Sequence, residues 1–351
     1  MNNVFYNIHL FVTINEYTDL RSLCDTNMLF STLKKYINYK LDKNHSIMYY
    51  DDILFRNIVL NKIYNPNKQL HLNLSYCDNI LDVSILKNVH TLDLSHCKNI
   101  SNISALENVH TLFLNHCDNI TDINMLGKVH TLELISCKNI TNVSMLGKVH
   151  TLDLSGCKKI TDVSALGKVH TLKIGYCNNI TDISALGNVH TLYLINYKIT
   201  DISALGNVHT LYLIGCYNIT DVSALKNVHT LHLSYCTEIT NVSALGNVHT
   251  LNLTGCYKIT NVSALGNVHT LNLTGCKNII DVSALGNIHT LNLTGCYKII
   301  DVSALGNIHT LNLTGCKNIT DVSTLGNVHT LYLSGCYKII DVSALGENVH
   351  F

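Results

Sequence analysis

Hydrophobic residues recur along most of this chain with a period of twenty residues. The stretch from Val248 to Asn267 reads VHTLNLTGCYKITNVSALGN and is followed by a near copy, and weaker copies begin at about Leu70. The Leu-x-Leu alternation in each copy is typical of a strand with one buried face. The later apolar positions lie three residues apart, as in Ile259, Val262 and Leu265, which favours a 3₁₀ or irregular turn on the same core. The pattern therefore predicts stacked coils.

This repeat resembles the leucine-rich repeat family. The spacing Leu92-x-Leu94-x-x-Cys97 is similar to the family signature LxxLxLxxN/C. The ITDVSAL portion resembles the convex segment of internalin-type repeats, and the Cys resembles the cysteine-containing subclass. The resemblance implies an α/β solenoid with a parallel β-sheet on its concave face, short 3₁₀ or irregular convex segments and a small α-helical amino-terminal module. About 14 coils are expected in residues 67–351, with strand leucines at Leu72, Leu92, Leu112, Leu132, Leu152, Leu172, Leu192, Leu211, Leu231, Leu251, Leu271, Leu291, Leu311 and Leu331.

Residues 1–66 lack the twenty-residue period and show helical patterns instead. Apolar residues at three- and four-residue intervals predict one helix or two short ones, on Leu20, Leu23, Cys24, Phe30, Leu33 and Ile37. Asp51 and Asp52 are expected as N-cap and first-turn residues of a further helix that starts at Ile53. Asn65-Pro66-Asn67 is expected to form a turn that ends the segment. One interpretation is a helical cap that covers the open end of the array.

A second interpretation of this segment comes from another resemblance. The run Tyr17-Thr-Asp19-Leu20-Arg21-Ser-Leu23-Cys24 is similar to the middle of an F-box, although the chain lacks the Leu-Pro opening of that motif and contains no Trp. An F-box before leucine-rich repeats implies a substrate adaptor of a ubiquitin ligase that docks on a Skp1-type protein. The resemblance assigns that docking to Asp19, Leu20, Leu23 and Cys24.

Composition narrows the classes of partner. The 24 Lys and Arg balance the 24 Asp and Glu, so no basic field favours nucleic acid or a membrane surface. No run approaches 18 apolar residues, and the amino terminus lacks the basic region and cleavage site of a secretion signal. With 14 Cys in such a chain, we expect a reducing compartment, the cytoplasm or nucleus. The bias toward Asn, Ile, Lys and Tyr indicates an AT-rich genome, such as that of a giant virus or protist.

Cysteine and histidine each occupy one fixed place in the repeat. One Cys per coil, from Cys77 to Cys336, makes a line whose side chains do not converge on a point, so we expect a buried row and no metal site. A histidine row runs from His90 to His329. If these imidazoles stack, they are expected to be mostly neutral, with pKa values lowered by mutual repulsion and stability falling below about pH 6. The simplest interpretation of the histidine row is that duplication of the repeat copied one consensus histidine. The alternative is a metal-binding or pH-sensing face.

Function is expected at the outward strand positions that vary between coils. The predicted partner-binding residues are Phe113, Glu133, Asp153, Lys173, Tyr176, Tyr193, Ile195, Tyr212, Ile214, His232 and Tyr235. Exposed aromatic and aliphatic side chains with a few charges have the composition of a protein-binding hot spot, although Tyr and Ile also suit strand surfaces in general. The coil from Leu192 to Asp201 is one residue short, which predicts a break in register beside Tyr193.

Other classes of function have less support in the sequence. The regular Thr and Asn positions of the late coils resemble the arrays of ice-binding solenoids, which would make the chain a ligand-organising or structural solenoid. We find no Ser/His/Asp set, no perturbed carboxylate pair and no phosphate loop that would indicate an enzyme, and we predict no cofactor. The final Val349-His350-Phe351 starts a further strand, which predicts either self-association at that end or a truncated gene.

Overall fold

A computed structural model describes residues 11–12, 38–63, 65–195 and 198–351. The chain divides into an amino-terminal unit, Met1–Ile160, and a carboxyl-terminal unit, Thr161–Phe351. Both units repeat one coil, which consists of a short strand, a turn that ends at a buried cysteine, and a 3₁₀ segment. The strand in each coil is what the Leu-x-Leu alternation predicts, and its parallel pairing is what the leucine-rich repeat resemblance implies.

The amino-terminal unit contains both helices and coils. Its α-helices are α1 (Lys43–Asp51), α2 (Ile53–Lys62) and α3 (Pro66–Gln69). Its strands, each paired in parallel with the next, are β1 (Phe11–Val12), β2 (Asn38–Lys40), β3 (Leu70–Asn73), β4 (Thr91–Asp93), β5 (Thr111–Phe113), β6 (Thr131–Glu133) and β7 (Thr151–Asp153). The 3₁₀ segments are Ser84–Leu86, Ser104–Leu106, Asn124–Lys128 and Ser144–Leu146.

The carboxyl-terminal unit consists of coils throughout. Its strands, again paired in parallel, are β8 (Thr171–Lys173), β9 (Thr191–Leu194), β10 (Thr210–Leu213), β11 (Thr230–His232), β12 (Thr250–Asn252), β13 (Thr270–Asn272), β14 (Thr290–Asn292), β15 (Thr310–Asn312), β16 (Thr330–Tyr332) and β17 (Val349–His350). The 3₁₀ segments are Ser164–Leu166, Ser184–Asn188, Ser203–Asn207, Ser223–Asn227, Ser243–Leu245, Ser263–Leu265, Ser283–Leu285, Ser303–Leu305 and Ser323–Asn327.

The core of each coil follows from the hydrophobic pattern. Leu251 and Leu253 flank the half-buried Asn252 and are themselves fully buried, and Val262 and Leu265 reach the same core from the 3₁₀ side. Both parts of the predicted pattern are confirmed. Strands pair in register, so each leucine packs beside its copies in the neighbouring coils. Burying one such side chain stabilises the fold by about 1.5–3 kcal/mol.

The cysteines form the predicted buried row. The thirteen from Cys77 to Cys336 are buried and form no disulfide. Most donate their S–H to a backbone carbonyl 23 residues earlier in the chain, as Cys137 does to Leu114 at 3.0 Å and Cys276 to Leu253 at 3.2 Å. Burial raises the pKa of Cys137 to about 11. These thiols therefore satisfy backbone acceptors in the core and are protonated at neutral pH.

The amino-terminal segment differs in part from its prediction. Asp52 caps α2 as expected, since its Oδ1 accepts from the Leu54 N–H at 2.7 Å. Asp51 instead ends α1, and Pro66 begins α3 because proline suits the first turn of a helix. The strand β2, which pairs with β3, was not predicted, because three residues carry too little alternation to detect. The predicted helices from Leu20 to Ile37 and the F-box-like run lie outside the described residues.

Candidate functional site

Four side chains on adjacent strands of the carboxyl-terminal unit form one continuous stack. Register places Lys173, Tyr193, Tyr212 and His232 side by side on β8 to β11. The Lys173 Nζ lies 5.6 Å from the Tyr193 ring centroid. The ring centroids of Tyr193 and Tyr212 are 4.1 Å apart at an interplanar angle of 6°, and those of Tyr212 and His232 are 4.3 Å apart at 13°. These four residues are the aromatic stack.

The stack turns ring edges outward, because the ring faces cover one another. Each of the four side chains is half-buried. Burial raises the pKa of Tyr212, with a further contribution from its hydrogen bond with Tyr193. Burial lowers the pKa of His232, so this imidazole is neutral at pH 7. A stack of this kind offers apolar edges, hydroxyl groups and one ammonium, which is typical of an interface hot spot.

Two isoleucines extend the apolar area beside the stack. Ile195 and Ile214 follow β9 and β10 and are half-buried. These two strands keep full register from Thr191↔Thr210 to Leu194↔Leu213. The predicted break in register is therefore wrong for the strands, because the residue missing from this coil lies outside the paired positions.

Two further tyrosines flank the stack from the turns that follow β8 and β11. Tyr176 and Tyr235 are 58% and 54% exposed and have φ angles of +60° and +61°. In the coil that follows that of Tyr235, the same position is Gly255, with φ +73°. The Tyr235 ring packs against this glycine, because a Cβ added to Gly255 would lie 2.7 Å from Tyr235 Cδ1. A non-glycine residue in this conformation costs roughly 1–2 kcal/mol. Tyr176 and Tyr235 therefore adopt a strained backbone conformation.

The three predicted residues of the amino-terminal unit behave differently from the stack. Phe113 and Glu133 are neighbours on β5 and β6, and the Glu133 carboxylate accepts from the Asn115 amide at 3.1 Å. Asp153 is only 6% exposed, and its Oδ1 accepts from the Ser155 N–H at 2.9 Å. Its expected place on an accessible surface is wrong, because the carboxylate turns back to its own turn.

Sequence reasoning missed an aromatic row in the amino-terminal unit. Tyr76, His96 and His116 precede the cysteines of three coils with φ between +60° and +62°. Their rings stack with centroids 4.3 and 4.4 Å apart, and Lys43 of α1 lies 5.4 Å from the Tyr76 centroid. The available signal was an aromatic at a turn position where later coils carry glycine.

The predicted histidine row is stacked in both units. In the carboxyl-terminal unit nine imidazoles from His170 to His329 stack at centroid distances of 4.4 to 4.8 Å. Each Nδ1 lies against the hydroxyl of the following threonine, as in His249 and Thr250 at 3.2 Å. The rings are stacked nearly parallel, so their Nε2 atoms do not converge on one point. Within the described residues, no group of three or more His, Cys, Asp or Glu side chains could hold a metal ion.

Comparison with known proteins supports the fold. No protein-family model and no curated protein matches this chain. Among solved structures, the functional domain of InlJ from Listeria monocytogenes, described as including a cysteine ladder, is 21% identical with a TM-score of 0.51; the match covers 73% of this chain and 61% of that one. The internalin InlF of Listeria monocytogenes is 22% identical (TM-score 0.46, covering 74% and 81%). A leucine-rich repeat protein of Leptospira interrogans is 17% identical (TM-score 0.44, covering 77% and 91%).

The coil geometry and the likeness to InlJ define the class of fold. Parallel strands, 3₁₀ segments and a buried cysteine row in twenty-residue coils make this chain a leucine-rich repeat solenoid. The chain spans less than two thirds of the InlJ chain that it matches. In the part of the chain that the structure describes, no helix has the length and apolar character needed to cross a membrane.

Proposed function

We propose that this chain is a protein-binding scaffold whose partner contacts the aromatic stack and its flanks. The observation that carries the proposal is the stack itself: where later coils place Asn, four adjacent strands place Lys173, Tyr193, Tyr212 and His232 in mutual contact. Stacking limits the side-chain freedom that a partner would otherwise have to freeze on binding. The strained Tyr176 and Tyr235 add exposed rings at the edge of the same surface.

The test exchanges the stack for the sequence of later coils, which share the same fold. The quadruple substitution Tyr193→Asn, Ile195→Thr, Tyr212→Asn and Ile214→Thr copies the outward positions of β12 to β15. Photo-cross-linking from position 191, which lies two residues before Tyr193 on β9 and outside the exchanged residues, is expected to capture a protein in cell extract when the stack is intact and to lose that product with the variant. Tyr332→Asn, the same exchange at the same strand position outside the site, is the control. Equal capture by wild type and quadruple variant would contradict the proposal.

The adaptor form of this function is a further proposal, supported by the F-box resemblance. Asp19, Leu20, Leu23 and Cys24 would dock on a Skp1-type protein while the strand face holds a substrate. This role would place the chain in the cytoplasm or nucleus. The experiment is a pull-down of a Skp1-type protein by the full chain, with Leu20→Ala plus Leu23→Ala as the variant. The quadruple variant serves as control, since it leaves the docking run intact. No retention by the wild-type chain would remove the adaptor role and leave the scaffold proposal standing.

A further inference from the structure

Carboxylates are absent from the strand face of the carboxyl-terminal unit. In every coil from His170 to Ser334, the outward positions of His-Thr-Leu-x-Leu-x contain neither Asp nor Glu. The acidic residues of this unit lie elsewhere, at Asp162, Asp182, Asp201, Asp221, Glu238, Asp281, Asp301, Asp321, Asp341 and Glu347. Most of these aspartates accept from a serine N–H at the start of a 3₁₀ segment, as Asp281 does from Ser283 at 2.9 Å. The acidic groups of this unit are therefore separated from its strand face, although the whole chain has no net charge.

The centre of this face is a row of amide donors. Asn252, Asn272, Asn292 and Asn312 lie side by side on β12 to β15; they are the asparagine row. The Oδ1 of each accepts from the N–H two residues later at 2.9 Å. Since that N–H is a donor, the amide must present its oxygen there and its NH₂ to the outside. Among the described residues, these four Nδ2 groups have no hydrogen-bond acceptor. They repeat at the strand spacing of about 4.8 Å.

The borders of the asparagine row are also free of unpaired carboxylates. On the side of the strand starts lie exposed imidazoles, whose Nδ1 atoms lie against threonine hydroxyls, as in His269 and Thr270 at 3.2 Å. After the strands come Lys277 and Lys317, which lie 5.9 and 5.7 Å from the ring of Tyr297 between them. The carboxylate that precedes this border, Glu238, is paired with Lys258 at 2.6 Å. Two ammonium groups and, among the described residues, no unpaired carboxylate therefore lie along the borders of the row.

We propose that the asparagine row binds an extended acidic polypeptide segment that runs across β12 to β15. Side-chain carboxylates and backbone carbonyls of such a segment would accept from the four amides, and the lysines beside them would complement its charge. Strong binding of nucleic acid depends on several Lys or Arg contacts to phosphates, whereas most donors on this face are uncharged. This surface is separate from the aromatic stack, and its ligand does not depend on the partner of that site.

The test measures fluorescence anisotropy of a labelled peptide of alternating Glu and Ser with the full chain. Asn272→Asp plus Asn292→Asp replaces two donors with carboxylates and keeps the turn, because Asp93 already accepts from the Ser95 N–H at 2.9 Å in another coil. We expect the variant to bind the peptide about tenfold more weakly, since like charges then face each other. Asn241→Asp plus Asn261→Asp is the matched control, with the same change in charge at caps that hold Ser243 and Ser263. The control is expected to bind as the wild-type chain does.

Three results would overturn the proposal. One is a wild-type chain that does not bind the acidic peptide, and another is equal affinity of the wild-type chain and the Asn272→Asp plus Asn292→Asp variant. The third is tighter binding of a single-stranded oligonucleotide of equal charge than of the peptide. Thermal melts of both double variants confirm that they fold. A Tyr193→Ala plus Tyr212→Ala variant, which removes the rings of the aromatic stack without adding amide donors, is expected to bind the peptide normally, which separates this inference from the proposed function.

Discussion

At the scale of single residues, Tyr176 shows a conflict between its backbone and its position. Its φ of +60° suits glycine, so Tyr176→Gly is expected to stabilise the chain by about 0.5–1 kcal/mol, after allowance for the greater freedom of glycine in the unfolded state. Urea denaturation measures this. Tyr193→Gly, within the strand β9, is the control and is expected to destabilise. A loss of stability in Tyr176→Gly would show that the ring contributes more to packing than the turn costs.

The repeat cysteines are expected to resist alkylation in the folded chain. They are fully or nearly fully buried, and burial raises the pKa of Cys97 and Cys296 to about 12, so almost no reactive thiolate is present at pH 7.5. Iodoacetamide labelling followed by mass spectrometry should modify them only in denaturant. A Cys24→Ser chain keeps the measurement to the repeat. Rapid labelling of Cys296 without denaturant would contradict this account of the core.

At the scale of elements, the side-chain cap of each 3₁₀ segment is a separable contribution. Asn261 Oδ1 accepts from the Ser263 N–H at 2.9 Å. Asn261→Ala removes that acceptor and is expected to cost about 1 kcal/mol. Asn261→Asp retains the oxygen, as Asp281 does in the next coil, and is expected to leave the melting temperature within a degree or so of wild type on the same scale. Differential scanning calorimetry compares the three chains, and equal midpoints for Ala and Asp would exclude a role for the cap.

Elements that repeat were predictable, and of the elements that occur once only those with a local signal were. Strand, cysteine turn and 3₁₀ segment each recur in every coil, so the apolar spacing identified them. The helix α2 was found because Asp52 precedes its apolar residues. The strand β2 was missed because its pairing with β3 is a long-range contact that no local pattern encodes. The shortened coil was found, but its effect on register depends on where the turn absorbs the loss.

The sequence predicted which positions form the candidate site but not how their side chains are arranged. Alternation showed that Tyr193 and Tyr212 face outward, and the period placed them on neighbouring strands. Ring stacking, which turns edges outward, follows from side-chain rotamers and needed the structure. Asp153 was misplaced because an outward position does not reveal that its carboxylate turns back to the Ser155 N–H. The row of Tyr76, His96 and His116 was missed, although it occupies the same turn position as Tyr176 and Tyr235, because the strands beside it carry no outward tyrosines that would mark a patch.

At the scale of the whole molecule, His90, His130, His309 and the aspartate caps of the 3₁₀ segments make stability depend on pH. Burial and the neighbouring imidazoles lower the pKa of His90 to about 4, and the pKa values of His130 and His309 are lowered for the same reasons. As the pH falls below 6.5, the unfolded chain therefore binds protons before the folded chain does, and stability declines until the folded histidines are also protonated. The hydrogen bonds from serine N–H groups lower the pKa of capping aspartates such as Asp301, so their contribution is present above about pH 4 and is lost as the pH falls further.

The chain is therefore expected to melt at a lower temperature at pH 5.5 than at pH 7.5, with a second decline below about pH 4. Thermal unfolding at constant ionic strength, followed by circular dichroism, measures the midpoint across this range. His90→Gln plus His130→Gln removes two of the histidines with lowered pKa and should reduce the difference between pH 7.5 and 5.5, while the decline below pH 4 persists because the aspartate caps remain. Asn261→Ala is the control, since it lowers stability at every pH without changing the slope. Equal midpoints at pH 7.5 and 5.5 in the wild-type chain would contradict the lowered pKa values of His90, His130 and His309.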